Sequence, residues 1–196
     1  EKAGRAFVKR IRPKVPQNAI EVFLLNKFTT TVELQNMLIP LQNGENVGLI
    51  TDAGCPGIAD PGSDLVAIAH QHNIRVTPLV GPSSILLAVM ASGLNGQSFA
   101  FNGYLPIDKD ERKNAIKKFE KKSTEHQQTQ VFIETPYRNN SLYEELCRTL
   151  RPKTRLSIAC DITLPLEFIR TQTAKEWISN TEDITGRPAV FSFLAT

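Results

Sequence analysis

Leu49-Ile-Thr-Asp-Ala-Gly-Cys-Pro-Gly-Ile-Ala-Asp-Pro-Gly62 is the most informative stretch of the chain. It reads as the end of a short apolar strand (residues 47–51), a loop with three glycines and two prolines, and the approach to a helix over 64–72. Ligands in open α/β sheets bind beyond the carboxyl ends of strands, where such loops sit. Glycine lets a backbone approach a ligand closely and proline stiffens the turn. A tight surface turn explains the same composition, and Asp60 before Pro61 suits an Asx-type cap.

Working outward, a second loop of the same kind follows a strand over 75–80: Pro78-Leu-Val-Gly-Pro-Ser-Ser-Ile85. Ser83 and Ser84 open an apolar helix over 83–92, closed by Gly93. They suit N-caps, and they also suit the presentation of hydroxyls and N–H groups to a carboxylate or ribose. Upstream, the pattern predicts a basic helix over 3–12, a strand over 20–25 and a helix over 31–42 closed by Gly44. Downstream it predicts strands over 98–102, 130–134, 155–161, 166–171 and 189–194. Helices are expected over 109–122, over 139–150 and around Trp177. The alternation argues for an α/β fold with mostly parallel or mixed sheets under helices. Residues 103–108 read as a hinge, which gives an N-terminal α/β domain over 1–103 and a C-terminal one over 104–196.

The bulk numbers fit this reading. The chain has 196 residues, 41% of them hydrophobic, and a formal net charge of +3. That charge is too small for a dedicated DNA-binding domain. No apolar run approaches the ~18 residues of a membrane span, and no signal peptide is expected. The first residue is Glu1 rather than Met, so the natural start is expected to lie upstream. Cys55, Cys147 and Cys160 are widely spaced, which suggests reduced thiols in a cytoplasmic setting and no metal site.

Five motifs then occur in order: 51–62, Val-Gly-Pro-Ser-Ser (80–84), Ala-Ser-Gly-Leu (91–94), Phe-Asn-Gly-Tyr-Leu-Pro (101–106) and Glu-Thr-Pro-Tyr-Arg (134–138). Together they resemble the tetrapyrrole methylase superfamily. They are most similar to the branch that methylates a cytidine ribose 2′-hydroxyl in small-subunit ribosomal RNA. The resemblance implies a methyltransferase with S-adenosylmethionine folded in a cleft between two α/β domains, and a homodimer. It implies cofactor contacts from Asp52, Ala53, Gly54, Pro56, Ile58, Ser83, Ser84, Glu134, Pro188 and Ala189.

The family's glycine-bearing first strand is missing from the chain. Cys160-Asp-Ile-Thr-Leu164 stands where the branch carries an Arg-Glu-Leu-Thr-Lys-like segment, and Thr185-Gly-Arg187 where it carries Lys-Gly-Glu. A hydroxyl acceptor must lose its proton, and Glu134 and Asp161 are the candidate catalytic carboxylates. Glu134 has an alternative role as an ion-pair partner of Arg138. Clustered cations suit a phosphate backbone, although a solvated face explains them too. Arg5, Arg12, Lys117 and Arg138 are therefore candidate RNA contacts. A porphyrin or corrin C-methyltransferase, and a paralogue that binds cofactor or RNA without turnover, stand as alternatives.

Overall fold

The computed structural model describes residues 2–11, 14–179 and 182–196. The chain divides into two compact units, Glu1–Pro82 and Ser83–Thr196, and each is described by itself.

The first unit contains helices α1 (Lys2–Ile11), α2 (Thr31–Gln42) and α3 (Ser63–Gln71), with a 3-10 turn at Gln17–Ala19. A reciprocal capping box starts α2. Glu33 N–H donates to Thr30 Oγ1 at 3.3 Å, and Thr30 N–H donates to Glu33 Oε2 at 2.7 Å. The small core is Leu34, Met37, Leu38, Leu65 and Ala69. The strands expected over 20–25, 47–51 and 75–80 do not form: every strand among the described residues lies at or beyond Phe99. A strand exists only where its ladder is paired. These runs pair with nothing, and Leu24, Ile50 and Leu79 are exposed. The unit builds its core on α2 and α3 instead.

The second unit holds the sheet. Its elements are α4 (Ser84–Ser92), β1 (Phe99–Tyr104), α5 (Lys109–His126), β2 (Thr129–Ile133), α6 (Asn139–Thr149), β3 (Arg155–Cys160), β4 (Phe168–Thr173), α7 (Ala174–Ser179) and β5 (Ala189–Leu194). The spatial order is β1-β2-β5-β3-β4. The expected α/β class stands, and the sheet is mixed. Only β1 and β2 pair in parallel, as a crossover through α5 requires, while the other three pairings are antiparallel. The short return over 161–167 leaves β4 no choice but to run against β3.

Alternation along the central strands sends side chains to two buried faces. Phe132, Leu156, Ile158, Phe191 and Phe193 pack with Ile116, Leu142, Leu146 and Trp177 from α5, α6 and α7. Val131, Ala159 and Val190 pack with Ala88 and Val89 of α4. An apolar helix such as α4 is normally buried between layers. Within this unit it is covered on one side, and Leu86 and Met90 on its other side are exposed. Leu105, inside the expected hinge, is buried in the larger core.

Burial pushes the Tyr143 phenol up to about 12 and the Cys147 thiol up to about 11. Tyr143 Oη also donates to the Trp177 carbonyl at 2.9 Å. A proton held more tightly in the fold than in the unfolded chain stabilises the fold at lower pH. That stability disappears as the unfolded chain ionises first. The contribution of these two groups to urea-unfolding stability is therefore expected to be flat below the ordinary thiol and phenol values, 9.0 and 10.0, and to fall up to about pH 12. Tyr143→Phe should shallow that fall, and an unchanged alkaline limb would refute the assignment.

Candidate active site

Strands β2 and β3 both run against β5, so both end at the edge where β5 begins. Strand β1 ends there too, with Tyr104 beside Ile133. Helix α4 runs from this edge to the opposite one. At its far end Thr171 Oγ1 donates to the Ser92 carbonyl at 2.7 Å, and Arg155 Nη1 to the Gly93 carbonyl at 3.3 Å. The carboxyl ends of three strands, the start of β5 and the N-terminus of α4 thus share one side of the unit. This places Ser83, Ser84, Glu134, Asp161, Pro188 and Ala189 on that side.

Ser83 is the N-cap of α4, but its side chain makes no cap hydrogen bond. The first N–H groups of the helix carry no side-chain acceptor from it. An uncapped N-terminus of a nine-residue helix suits an anion such as a carboxylate.

Two carboxylates mark the strand ends, each held by an arginine. Glu134 follows β2 and its side chain is fully buried. Its Oε1 accepts from Arg138 Nη2 at 2.7 Å, Arg138 Nε at 3.1 Å and Thr135 N at 2.6 Å. That hydrogen bond to Glu134 is the leading cause that raises the Arg138 guanidinium above its ordinary value. Glu134 Oε2 is buried with no protein partner, as is Asn139 Oδ1 at the start of α6. A buried orphan acceptor costs about 1–3 kcal/mol unless a ligand or water donates to it.

Asp161 follows β3 in the left-handed region, at φ 49°. Its backbone N–H donates to the Pro188 carbonyl at 3.0 Å, and its Oδ2 accepts from Arg187 Nε at 2.7 Å. The two segments that depart from the family pattern, 160–164 and 185–187, therefore meet in one ion pair. The turn before β5 is pinned to α6. Gly186 N–H donates to the Pro136 carbonyl at 3.1 Å, and Asn139 Nδ2 to the Arg187 carbonyl at 2.5 Å.

In the first unit, Asp52, Ala53, Gly54, Pro56 and Ile58 all lie exposed on the loop between residue 51 and α3. Gly54 and Gly57 adopt positive φ, 73° and 78°. Gly62 is dictated by space as well: a Cβ there would sit 2.8 Å from Leu49 Cδ2. Cys55 Sγ lies 3.6 Å from the Pro82 carbonyl, which brings the two predicted loops together at the end of the unit.

The predicted RNA contacts do not gather at one point. Arg5 lies on α1, where its carbonyl accepts from Gln17 Nε2 at 2.8 Å. Arg12 lies outside the described residues. Lys117 is exposed on α5 and lines a groove of about 310 Å³ with Glu120, Lys121, Thr124, Glu125 and Arg151, where acids and bases are mixed. Arg138 alone stands at the strand-carboxyl edge. Sequence reasoning did not foresee the Asp161–Arg187 pair or the exposed tyrosines at that edge, Tyr104 and Tyr137. The pair joins residues 26 positions apart, and no local pattern signals it.

Residues 7–177 match the family described as Tetrapyrrole (Corrin/Porphyrin) Methylases, and the chain belongs to that family. Among relatives, it is 30% identical over 165 residues to "Ribosomal RNA small subunit methyltransferase I" of Escherichia coli O157:H7, covering 83% of this chain and 56% of the relative. It is 31% identical over 159 residues to the protein of that name from Vibrio cholerae, covering 81% and 54%. The chain spans about half the length of the curated relatives it matches. Among solved structures, the methyltransferase CobJ superposes with a TM-score of 0.61 at 14% identity, covering 97% of this chain and 85% of that one. That likeness concerns the fold. No helix among the described residues is long and apolar enough to cross a membrane.

Proposed function

We propose that this chain is part of an S-adenosylmethionine-dependent methyltransferase that modifies a ribose 2′-hydroxyl of small-subunit ribosomal RNA. The observation that carries the reading is the strand-carboxyl edge of the second unit, where an uncapped helix N-terminus and the orphan Glu134 Oε2 share a side with Pro188 and Ala189. The names of the relatives support RNA as the substrate.

S-adenosylmethionine, when bound, supplies a methyl group on a sulfonium, already activated for in-line displacement. The chain's own share is alignment and exclusion of water, worth roughly 7–11 kcal/mol in the best intramolecular cases. In this reading Ser83, Ser84 and the α4 N-terminus hold the donor's carboxylate. Backbone at Pro188 and Ala189 lines its base. The resemblance also names Asp52, Ala53, Gly54, Pro56 and Ile58 of the first unit as candidate cofactor contacts. Glu134 Oε2 is the acceptor with capacity to spare for a hydroxyl proton, because Arg138 and Thr135 occupy Oε1. Asp161 serves as the anchor of Arg187. The reading also places the protein in the cytoplasm, with its ribosomal substrate, and as a homodimer.

The engagement of both carboxylates by arginines favours one second reading, a paralogue that binds the cofactor without turnover. Transfer of tritiated methyl from S-adenosylmethionine to deproteinised small-subunit RNA, with a porphyrin precursor in parallel, separates the readings. The expected result is label in RNA at a linkage that resists alkali, because a 2′-O-methyl blocks attack on the adjacent phosphodiester. Label only in the tetrapyrrole, or cofactor binding with no transfer to either, would overturn the proposal.

A further inference from the structure

Beside Glu134, three side chains at the same edge have no part in cofactor binding as proposed: Tyr104, Tyr137 and the outer face of Arg138. Tyr137 lies on the 3-10 turn Pro136–Arg138. That turn is closed by Arg138 N–H donating to the Thr135 carbonyl at 2.9 Å, and it is pinned from the other side by Gly186 on Pro136. The backbone under Tyr137 is therefore fixed, yet the residue is 73% exposed. The Arg138 guanidinium lies over the Tyr137 ring, 5.4 Å from its centre, with its own orientation set by the buried Glu134. Tyr104, at the end of β1 and register partner of Ile133, is also exposed at 54%.

Large aromatic rings held out in water on a rigid turn cost solvation without any packing gain inside the protein. A ring with a guanidinium on one side and solvent on the other is the arrangement on which an unstacked nucleobase settles. Helix α5 starts shortly after Tyr104 and carries exposed Lys109 and Lys113 in its first turns, which suit phosphates of the same strand.

We infer that Tyr137, backed by Arg138, is a stacking platform for a nucleobase of single-stranded RNA, with Tyr104 exposed at the same strand-carboxyl edge. The inference rests on the RNA reading above and adds that the RNA is held through a base as well as through phosphates. These residues position the substrate, and no chemistry is assigned to them.

The test uses a short single-stranded RNA carrying 2-aminopurine, whose fluorescence falls on stacking, and the same RNA with an abasic site in its place. With the wild-type protein the fluorescence is expected to be quenched, and the abasic RNA to bind more weakly. Tyr137→Ala should abolish the quench and lower affinity between about five- and a hundred-fold, the range for loss of one base–aromatic stack. It should also bind both RNAs equally. Tyr137→Phe, which keeps the ring, should restore quench and affinity. S-adenosylmethionine binding should be the same in all three proteins. If the wild type binds RNA but Tyr137→Ala quenches and binds as well as it does, the platform is refuted and the RNA reading survives. If the wild type binds no RNA, both fall.

Discussion

Replacing Trp177 with alanine is expected to destabilise the second unit by about 3–5 kcal/mol, the range for removing a fully buried aromatic side chain. Trp177 is completely buried, and its Nε1 donates to the Leu156 carbonyl at 2.8 Å. Its ring meets Tyr143 edge-on at 5.6 Å and Phe168 at 6.4 Å. Its backbone carbonyl takes the Tyr143 hydroxyl. One side chain thus ties α7 to α6, β3 and β4, and its loss leaves a cavity at their junction. The apparent Tm should drop by roughly 10–20 °C. Trp177→Phe keeps most of the volume but loses the hydrogen bond to the Leu156 carbonyl, so it should fall between the two. A melting curve unmoved by alanine would mean that the large core is not organised around α7.

Replacing Gly54 with valine is expected to lower affinity for S-adenosylmethionine by roughly ten-fold or more with little effect on stability. Gly54 has φ 73°, and nothing lies within 4 Å of the position a Cβ would take. The protein has room for the side chain, so the cost is in the backbone. A left-handed conformation costs an L-residue about 1–2 kcal/mol, and a β-branched residue more. The loop is exposed and anchored at Cys55 rather than buried, and it can escape that strain by changing shape. A changed loop no longer presents its backbone to a ligand. Calorimetric titration of wild type, Gly54→Ala and Gly54→Val should give a graded loss. Equal affinity in all three would remove residues 52–58 from the cofactor site.

Much of the second unit was legible in the sequence because its signals are local. The amphipathic run from Asp108, whose Oδ1 caps Asp110 and Glu111 at 3.0 Å, marks the start of α5. The apolar run 189–194 is buried at all its positions, as expected of a strand at the middle of a sheet. Position in the sheet was not legible. β5 inserts between β2 and β3, and only non-local pairing decides that. In the first unit, the apolar runs 20–25, 47–51 and 75–80 have the composition of strands but lack partners, and composition cannot report a missing partner. Ser83 and Glu134 lie in the ordered motifs and Ala189 was named through the resemblance; the topology brings the three to one edge. The Asp161–Arg187 pair was not legible. Each of its members reads singly as a departure, and they make sense only when β3 and β5 are laid side by side.

Hydrogen exchange, followed by mass spectrometry with and without S-adenosylmethionine, tests the central claim most directly. Cofactor is predicted to slow exchange in peptides spanning the start of α4, residues 134–138 and residues 187–190, and in the loop 52–58, while α5 is unaffected. Unchanged exchange in all of these at saturating cofactor, or protection confined to another surface, would contradict the account.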